Sequence, residues 1–397
     1  MVNSISKEKL IKYCDFAIEW GLILFAVGCA WSITLTQLGF FVGLIAWVVK
    51  MLTEEKKYYT KTPLDTAILL FIAATILSTI LSINMHNSVG GMFKTVGLML
   101  IYFFVSNNVK SLEQAKKLVL LIIFSATFES IYGIIKYWTG GGWKLEGTFS
   151  LSLTLAEILI MVISIIIPFL INFKNEGKIL SKRVLMPCTI LISIALVFTF
   201  ARGAWLGIAV SLIILGILKS KKLILIFTII AVIFICVASF FPTSTLGGRI
   251  RSIVEPESNF ERICMWKSGI EMIKDHPLGI GLENVGQLYP LYKMPEAYYP
   301  HQGHLHNNFI QIVVERGMLG GLAFLWMIFC FYRWGVTSLK KASDEFLKSL
   351  LLGFLAAFSA FLVSGIFEYN FGDSEVIMLV WFLTAITAKS VILKSST

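Results

Sequence analysis

The chain is punctuated from end to end by apolar runs, most of them about 17–25 residues long, the length that carries an α-helix across the hydrocarbon core of a bilayer. They fall near 15–33, 36–52, 64–83, 91–108, 118–138, 148–172, 185–200, 204–218, 223–241, 318–335, 347–367 and 375–393. Lipid offers backbone N–H and C=O groups no partner, so a crossing segment must satisfy them internally, as a helix does. The shorter runs, such as 204–218, must extend into their flanks or sit where the membrane is thin. Composition agrees: 57% of the 397 residues are apolar and 15% charged, against about 45–50% and about 25% in soluble domains. The expected fold is an all-α polytopic membrane protein of about twelve spans, one membrane domain over 1–397. A cytosolic enzyme, a secreted disulfide scaffold and a disordered chain are excluded.

The formal charge of +10 would suit a nucleic-acid binder, but the placement of the cations argues for topology instead. Connections alternate in Lys and Arg content, and 23 of the 34 cations fall on one side, from Lys7, Lys9 and Lys12 at the start to Lys389 and Lys394 at the end. The excess of Lys and Arg in short loops marks the cytoplasmic face. Both termini are therefore expected in the cytoplasm, with no nucleic-acid partner. The first apolar run could pass for a signal peptide, and Ala26-Val27-Gly28-Cys29 resembles a lipoprotein cleavage site, but eleven further runs favour a retained helix. Five of the six cysteines lie in or beside the runs, where Cys acts as a small hydrophobe.

The segment 242–317, between the ninth and tenth runs, differs from everything around it. It holds six of the nine prolines and four of the five histidines, and it is expected to lie outside the cell membrane as a functional loop. Two short amphipathic helices can be read in it. Ser258-Asn259-Phe260-Glu261 has the form of a capping box and is followed by an apolar stripe at Ile263, Trp266, Ile270 and Ile273. The second helix runs from about Asn307 to Arg316, with Phe309, Ile312 and Val313 on one face and Gly317 as its stop.

Chemistry-bearing residues gather at the outer rim. Arg202, in Thr199-Phe200-Ala201-Arg202-Gly203-Ala204-Trp205, sits where the seventh and eighth runs meet. It reads either as a snorkelling anchor or as part of a pathway or site; its place opposite the cytoplasmic cations favours the site. Arg262, in the first turn of the first loop helix, is either a solvated charge or a donor fork added to the positive helix end, suited to phosphate oxygens. His301-Gln302-Gly303-His304-Leu305-His306 reads as solvated histidines, a metal site or a general base. The segment holds no helical i, i+4 pair of histidines, and a carboxylate such as Glu296 would have to fold back to complete a zinc set, so no metal is assigned. An imidazole titrates near working pH and suits a base. Glu19, Glu129 and Glu157 lie in or near spans without a spacing signature and suit internal hydrogen bonding as well as an ion path. Glu368 and Asp373 occupy the last external loop, facing the same site or simply solvated.

These pieces resemble, in order, the O-antigen ligase family of bacterial membrane glycosyltransferases, which also includes O-antigen polymerases and protein O-oligosaccharyltransferases. The resemblance rests on Thr199 to Leu206; on Glu261-Arg262, Met265-Trp266 and Asp275-His276-Pro277-Leu278-Gly279-Ile280-Gly281; on His304-Leu305-His306-Asn307-Asn308-Phe309-Ile310-Gln311 with Glu315-Arg316-Gly317-Met318-Leu319-Gly320; and on the last external loop. Glu146-Gly147-Thr148-Phe149 is similar to the family's entry to the sixth span. The resemblance implies a glycosyltransferase-C-like fold. It also implies a glycan donor on undecaprenyl pyrophosphate and an acceptor hydroxyl, with lipid A-core as the best-known acceptor, at the outer face of the bacterial inner membrane. It assigns the pyrophosphate to Arg202 and Arg262 and acceptor activation to His306, with His304, Asn307, Glu368 and Asp373 as supporting residues and no cofactor. Ala201 departs from the family's frequent Ser, and Ser150 to Thr154 lack its frequent Asn. A polytopic transporter of lipid or glycan is the alternative of another class. Transporters commonly carry internal repeats with broken helices in matching positions, and none is visible here.

Overall fold

The computed structural model describes residues 7–54, 59–172, 181–220 and 245–395 apart from 254 and 256, with a few isolated positions between 222 and 236. Among the described residues the chain is helical and contains no strand. Eight helices come first: α1 (Lys7–Gly28), α2 (Ile33–Thr53), α3 (Asp65–Ile80), α4 (Met85–Asn108), α5 (Leu112–Gly140), α6 (Ser152–Asn172), α7 (Lys182–Phe198) and α8 (Arg202–Lys219). The short helix α9 (Thr245–Arg251) and a 3-10 turn precede α10 (Phe260–Asp275) and α11 (Val285–Tyr292). The chain ends with α12 (Asn308–Lys341), α13 (Glu345–Ser364) and α14 (Ser374–Ser395).

Eleven of the twelve expected spans coincide with these helices; the ninth, 223–241, lies almost wholly outside the described residues. Eight helices are long and apolar enough to cross a membrane, namely α2, α4, α5, α6, α8, α12, α13 and α14, while α3 is a shorter apolar helix. The molecule is a polytopic membrane protein.

Helices that are apolar all round belong in the interior, and α6, α13 and α14 take that place, with large residues such as Phe169, Phe361 and Trp381 fully buried. Around them α13 packs on α6 and α8, α14 on α4, and α12 on α3 and α13. In lipid, close helix approach depends on small residues, because apolar surface alone gives no preference for protein over acyl chains. The α1–α2 hairpin shows this: a Cβ at Gly21 would stand 2.7 Å from the Gly39 carbonyl, and one at Gly39 the same distance from that of Gly21.

The segment from α10 into the start of α12 folds as a cap with its own small core, in which Met265, Met272, Ile280, Val285, Tyr289, Leu305 and Val314 are buried together. Helix α10 begins where expected, but its cap differs from the expected capping box. Asn259 stands at the N-cap without a side-chain hydrogen bond, and Glu261 accepts from the Tyr298 backbone N–H instead. Of the expected apolar stripe, Trp266 and Ile273 pack against this core, and the other half needs correction. Ile263 and Ile270 are exposed, while Cys264, Met265, Ser268, Gly269 and Met272 face inward. Small residues decide this: a Cβ at Gly269 would come within 2.7 Å of both Ile310 and Leu305, so α10 rests on α12 through its least bulky face.

Gly317 interrupts α12 with φ 66° and ψ −176° but does not end it. The expected stop is a break between two helical halves that DHPLGIG fills. The N–H groups of Ile280 and Gly281 donate to the Val314 and Glu315 carbonyls at 2.9 Å, and Met318 N–H donates to the Pro277 carbonyl at 2.9 Å. A Cβ on Gly317 would collide with the Leu278 backbone. The broken helix thus gains partners for its loosened backbone groups, which a membrane protein must supply.

Candidate active site

Three consecutive residues at the start of α12 do three different jobs. Asn307 is its N-cap, its Oδ1 accepting from Ile310 N–H at 3.0 Å. Asn308 is fully buried and clamps the last loop: its N–H donates to the Gly365 carbonyl at 2.7 Å, its Nδ2 to Asn370 Oδ1 at 2.5 Å, and its Oδ1 accepts from Phe371 N–H at 3.0 Å. His306 has φ 48°, left-handed backbone that costs a non-glycine residue about 1 kcal/mol or more and tends to mark functional positions. The turn brings its Nδ1 to 2.7 Å from Glu368 Oε1.

A carboxylate only accepts hydrogen bonds, so Nδ1 carries a proton, and in the neutral imidazole the lone pair is on Nε2. Burial by itself would raise the Glu368 carboxyl, but the His306 hydrogen bond, the charges of His306 and His304, and that of Arg262 together hold it below its ordinary range. It remains ionised. His304 stacks edgewise on His306 with ring centres 4.2 Å apart, and burial followed by the charge of His306 lowers its pKa.

The arginines approach from two other elements. Arg202 is the first residue of α8, and the Ala201 N-cap provides no side-chain hydrogen bond, so first-turn backbone donors at this helix start have no such cap. The preceding Phe200 also has a positive φ, 54°, at the sharp turn out of α7. Arg202 donates to the Ser252 carbonyl. Arg262, on the first turn of α10, donates from Nε to the Phe367 carbonyl at 2.9 Å, and its Nη2 lies 3.8 Å from Glu368 Oε2. Arg202, Arg262 and Lys144 line one cavity of about 130 Å³, with Glu157 and Glu368 in its wall.

Glu157 and Glu368 also border a second cavity of about 350 Å³, lined among others by His304, Gln311, Asp373 and Glu375. The two cavities share a carboxylate wall: one has the cations, the other is mostly acidic. Glu157 is buried in α6 and accepts from Ser364 and, at 3.0 Å, from Asn370. Glu129 accepts from Thr148 N–H at 2.6 Å and packs so closely on Gly147 that a Cβ there would collide with it. Both acids serve hydrogen bonding that shapes the loops around the site.

The structure therefore gathers Arg202, Arg262, His304, His306 and Glu368, and it places two other expected residues differently. Asn307 is occupied with its helix. Asp373 caps the start of α14 through Glu375 and Val376 N–H and accepts from Thr154 Oγ1 at 2.6 Å, bordering the second cavity. Sequence reading missed Lys144 and the clamp made by Asn308; nothing in their spacing to the other residues announces either. It expected Glu368 at the site but not its pairing with His306, a contact made across 62 residues. Ligand atoms of His304, His306 and Glu368 lie within 4.8 Å of one another, and a pair of imidazoles with one carboxylate is a set that zinc accepts. Arg262 stands against that carboxylate and competes for it electrostatically.

Comparison with known proteins agrees with this geometry. Over 364 residues, 86% of this chain and 82% of the relative, the sequence is 23% identical to a protein of Rickettsia conorii whose name proposes a polysaccharide ligase. Residues 187–325, which run from α7 into α12 and include Arg202, Arg262 and His306, match the O-antigen ligase family, so most of the resemblance seen in the sequence falls on the stretch that the family model matches.

Proposed function

We propose that the chain is an O-antigen ligase-type glycosyltransferase that moves a glycan from undecaprenyl pyrophosphate to an acceptor hydroxyl, lipid A-core by the resemblance, at the outer face of the inner membrane. The observation that carries this reading is the joining of two arginines in one cavity whose wall includes Glu368, the carboxylate bound to His306. Expulsion of lipid pyrophosphate from the sugar C1 develops negative charge on the leaving oxygens. Guanidinium forks make bidentate, charge-assisted bonds to such oxygens, and the uncapped start of α8 adds backbone donors. That is electrostatic stabilisation without a metal.

On the other side of C1, the acceptor hydroxyl loses its proton to His306 Nε2 as its oxygen forms the new bond and the C1–pyrophosphate bond breaks. Direct displacement inverts C1. Glu368 fixes the tautomer and stabilises the imidazolium that forms, the role a buried acid plays beside a catalytic histidine. Under this reading both termini are cytoplasmic and 242–317 is periplasmic, in keeping with the distribution of Lys and Arg.

The test is transfer by the purified protein with a polyprenyl-pyrophosphate glycan and a panel of acceptors: lipid A-core, a lipid-linked glycan, a peptide with Ser and Thr, and water alone. Transfer to lipid A-core with inversion is expected. Transfer to the lipid-linked glycan or peptide instead would make the enzyme a polymerase or a protein transferase, and no turnover of donor with any acceptor would overturn the reading.

A further inference from the structure

A further cavity lies at the other end of the bundle, away from Arg202, Arg262 and His306. It is a lateral groove of about 670 Å³ between the second half of α12 and the ends of α13 and α14. One stripe of α12 forms its wall. Trp326, Phe329, Arg333, Thr337 and Lys341 recur at spacings of three and four residues, the period that puts side chains on one helix face, and Trp334 lies beside them. From α14, Lys394 faces the same groove.

The stripe divides along its length. Its inner end is aromatic, and Trp326 and Phe329 are each about half exposed although they sit in a helix that crosses the membrane. Its outer end is cationic, with Arg333, Lys341 and Lys394 and no acidic residue among the lining. Neither Arg333 nor Lys341 has a carboxylate within salt-bridge distance among the described residues, and the nearest acid along the chain, Asp344, uses its side chain to cap α13 at Leu347 N–H, 2.9 Å away.

Dimensions add a second, independent argument. Trp326 to Lys341 is fifteen steps of helix, about 22 Å at a rise of about 1.5 Å. One leaflet including its headgroups is about 20–22 Å. A ligand that fills the groove therefore has an apolar part as long as a leaflet's acyl region and an anionic head at the membrane surface.

We infer that this groove binds one anionic phospholipid, its acyl chains along Trp326 and Phe329 and its phosphate between Arg333, Lys341 and Lys394. Basic pockets between spans are suited to such headgroups, and Trp at the boundary anchors the interface. The site is independent of the proposed transfer reaction and is bordered by the ends of α12 and α14 and the start of α13.

The experiment is native mass spectrometry of the full chain, exchanged into detergent and offered phosphatidylglycerol or phosphatidylcholine. One phosphatidylglycerol should survive per chain at concentrations where phosphatidylcholine does not, and R333Q/K341Q should weaken its retention about tenfold or more, from about 1 kcal/mol per cation. K348Q, a neutralised exposed lysine at the same end that does not line the groove, should retain the lipid as the wild type does, and all three are surface changes that leave the core untouched. Equal retention of both lipids, full retention by R333Q/K341Q, equal loss in K348Q, or displacement by millimolar inorganic phosphate alone would each overturn the inference.

Discussion

Two Arg-Gly pairs in this chain have opposite fates. Arg316-Gly317 lies inside α12, where the Arg316 side chain is 1% exposed and its Nη1 donates to Glu315 Oε2 at 2.8 Å. It also donates to Thr75 at 3.2 Å and rests over the Phe71 ring at 5.4 Å. Arg202-Gly203 opens α8, donates to a backbone carbonyl and lines a cavity with Arg262 and Lys144. The first guanidinium is neutralised on the spot and holds the fold together. The second lines a cavity with two other cations and two carboxylates, the place where the proposed reading puts the pyrophosphate. The residue before each pair separates them: Ala201 offers no charge, whereas Glu315 offers a carboxylate that Arg316 meets at 2.8 Å.

That contrast can be broken at several points. The largest effect belongs to the chemistry: His306→Ala should cut glycan transfer by about 10²–10⁴-fold, the range for a general base, at unchanged membrane levels, whereas His301→Ala should keep most activity. Arg316→Ala should instead act on stability. Removing one partner of a buried pair leaves Glu315 uncompensated and costs about 3–5 kcal/mol, read as a lowered midpoint in thermal unfolding with transfer per folded molecule retained. If Arg316→Ala left stability intact and stopped transfer, the division between the two pairs would be wrong.

Smaller effects sharpen the picture. Asn307→Ala should lose about 1 kcal/mol as an N-cap and leave the rate of transfer nearly unchanged; a large loss of rate at normal stability would move Asn307 into the site. Glu368 offers a pH signature. Its pKa is held below the usual 4.5, so its contribution to stability is present above that value and disappears as pH falls below it. Thermal stability of the wild type should have this acid limb, and Glu368→Gln should lose the limb.

Much of the bundle was legible because apolar length is a direct physical requirement of lipid, and α1 to α8 and α12 to α14 follow it. The rim residues Arg202, Arg262 and His306 were legible as residue types out of place in a membrane protein. What could not be read was pairing. His306 meets Glu368 only because Asn308 clamps the loop that carries it, a contact made across 62 residues. The buried face of α10 also escaped, because Ser268 and Gly269 outweigh Ile263 and Ile270 once close approach to α12 sets the packing.

The central claim is that guanidinium groups, and no metal, hold the pyrophosphate. Binding of a polyprenyl pyrophosphate to the EDTA-treated protein tests it most directly, with Arg202→Lys beside the wild type. A planar fork and a point charge are not equivalent toward phosphate oxygens, and a lost charge-assisted bond is worth about 1.5–3 kcal/mol. The wild type should bind in EDTA, and Arg202→Lys should bind at least about tenfold more weakly. Binding that appears only when a divalent ion is restored, or a Lys variant that binds like the wild type, would contradict the account.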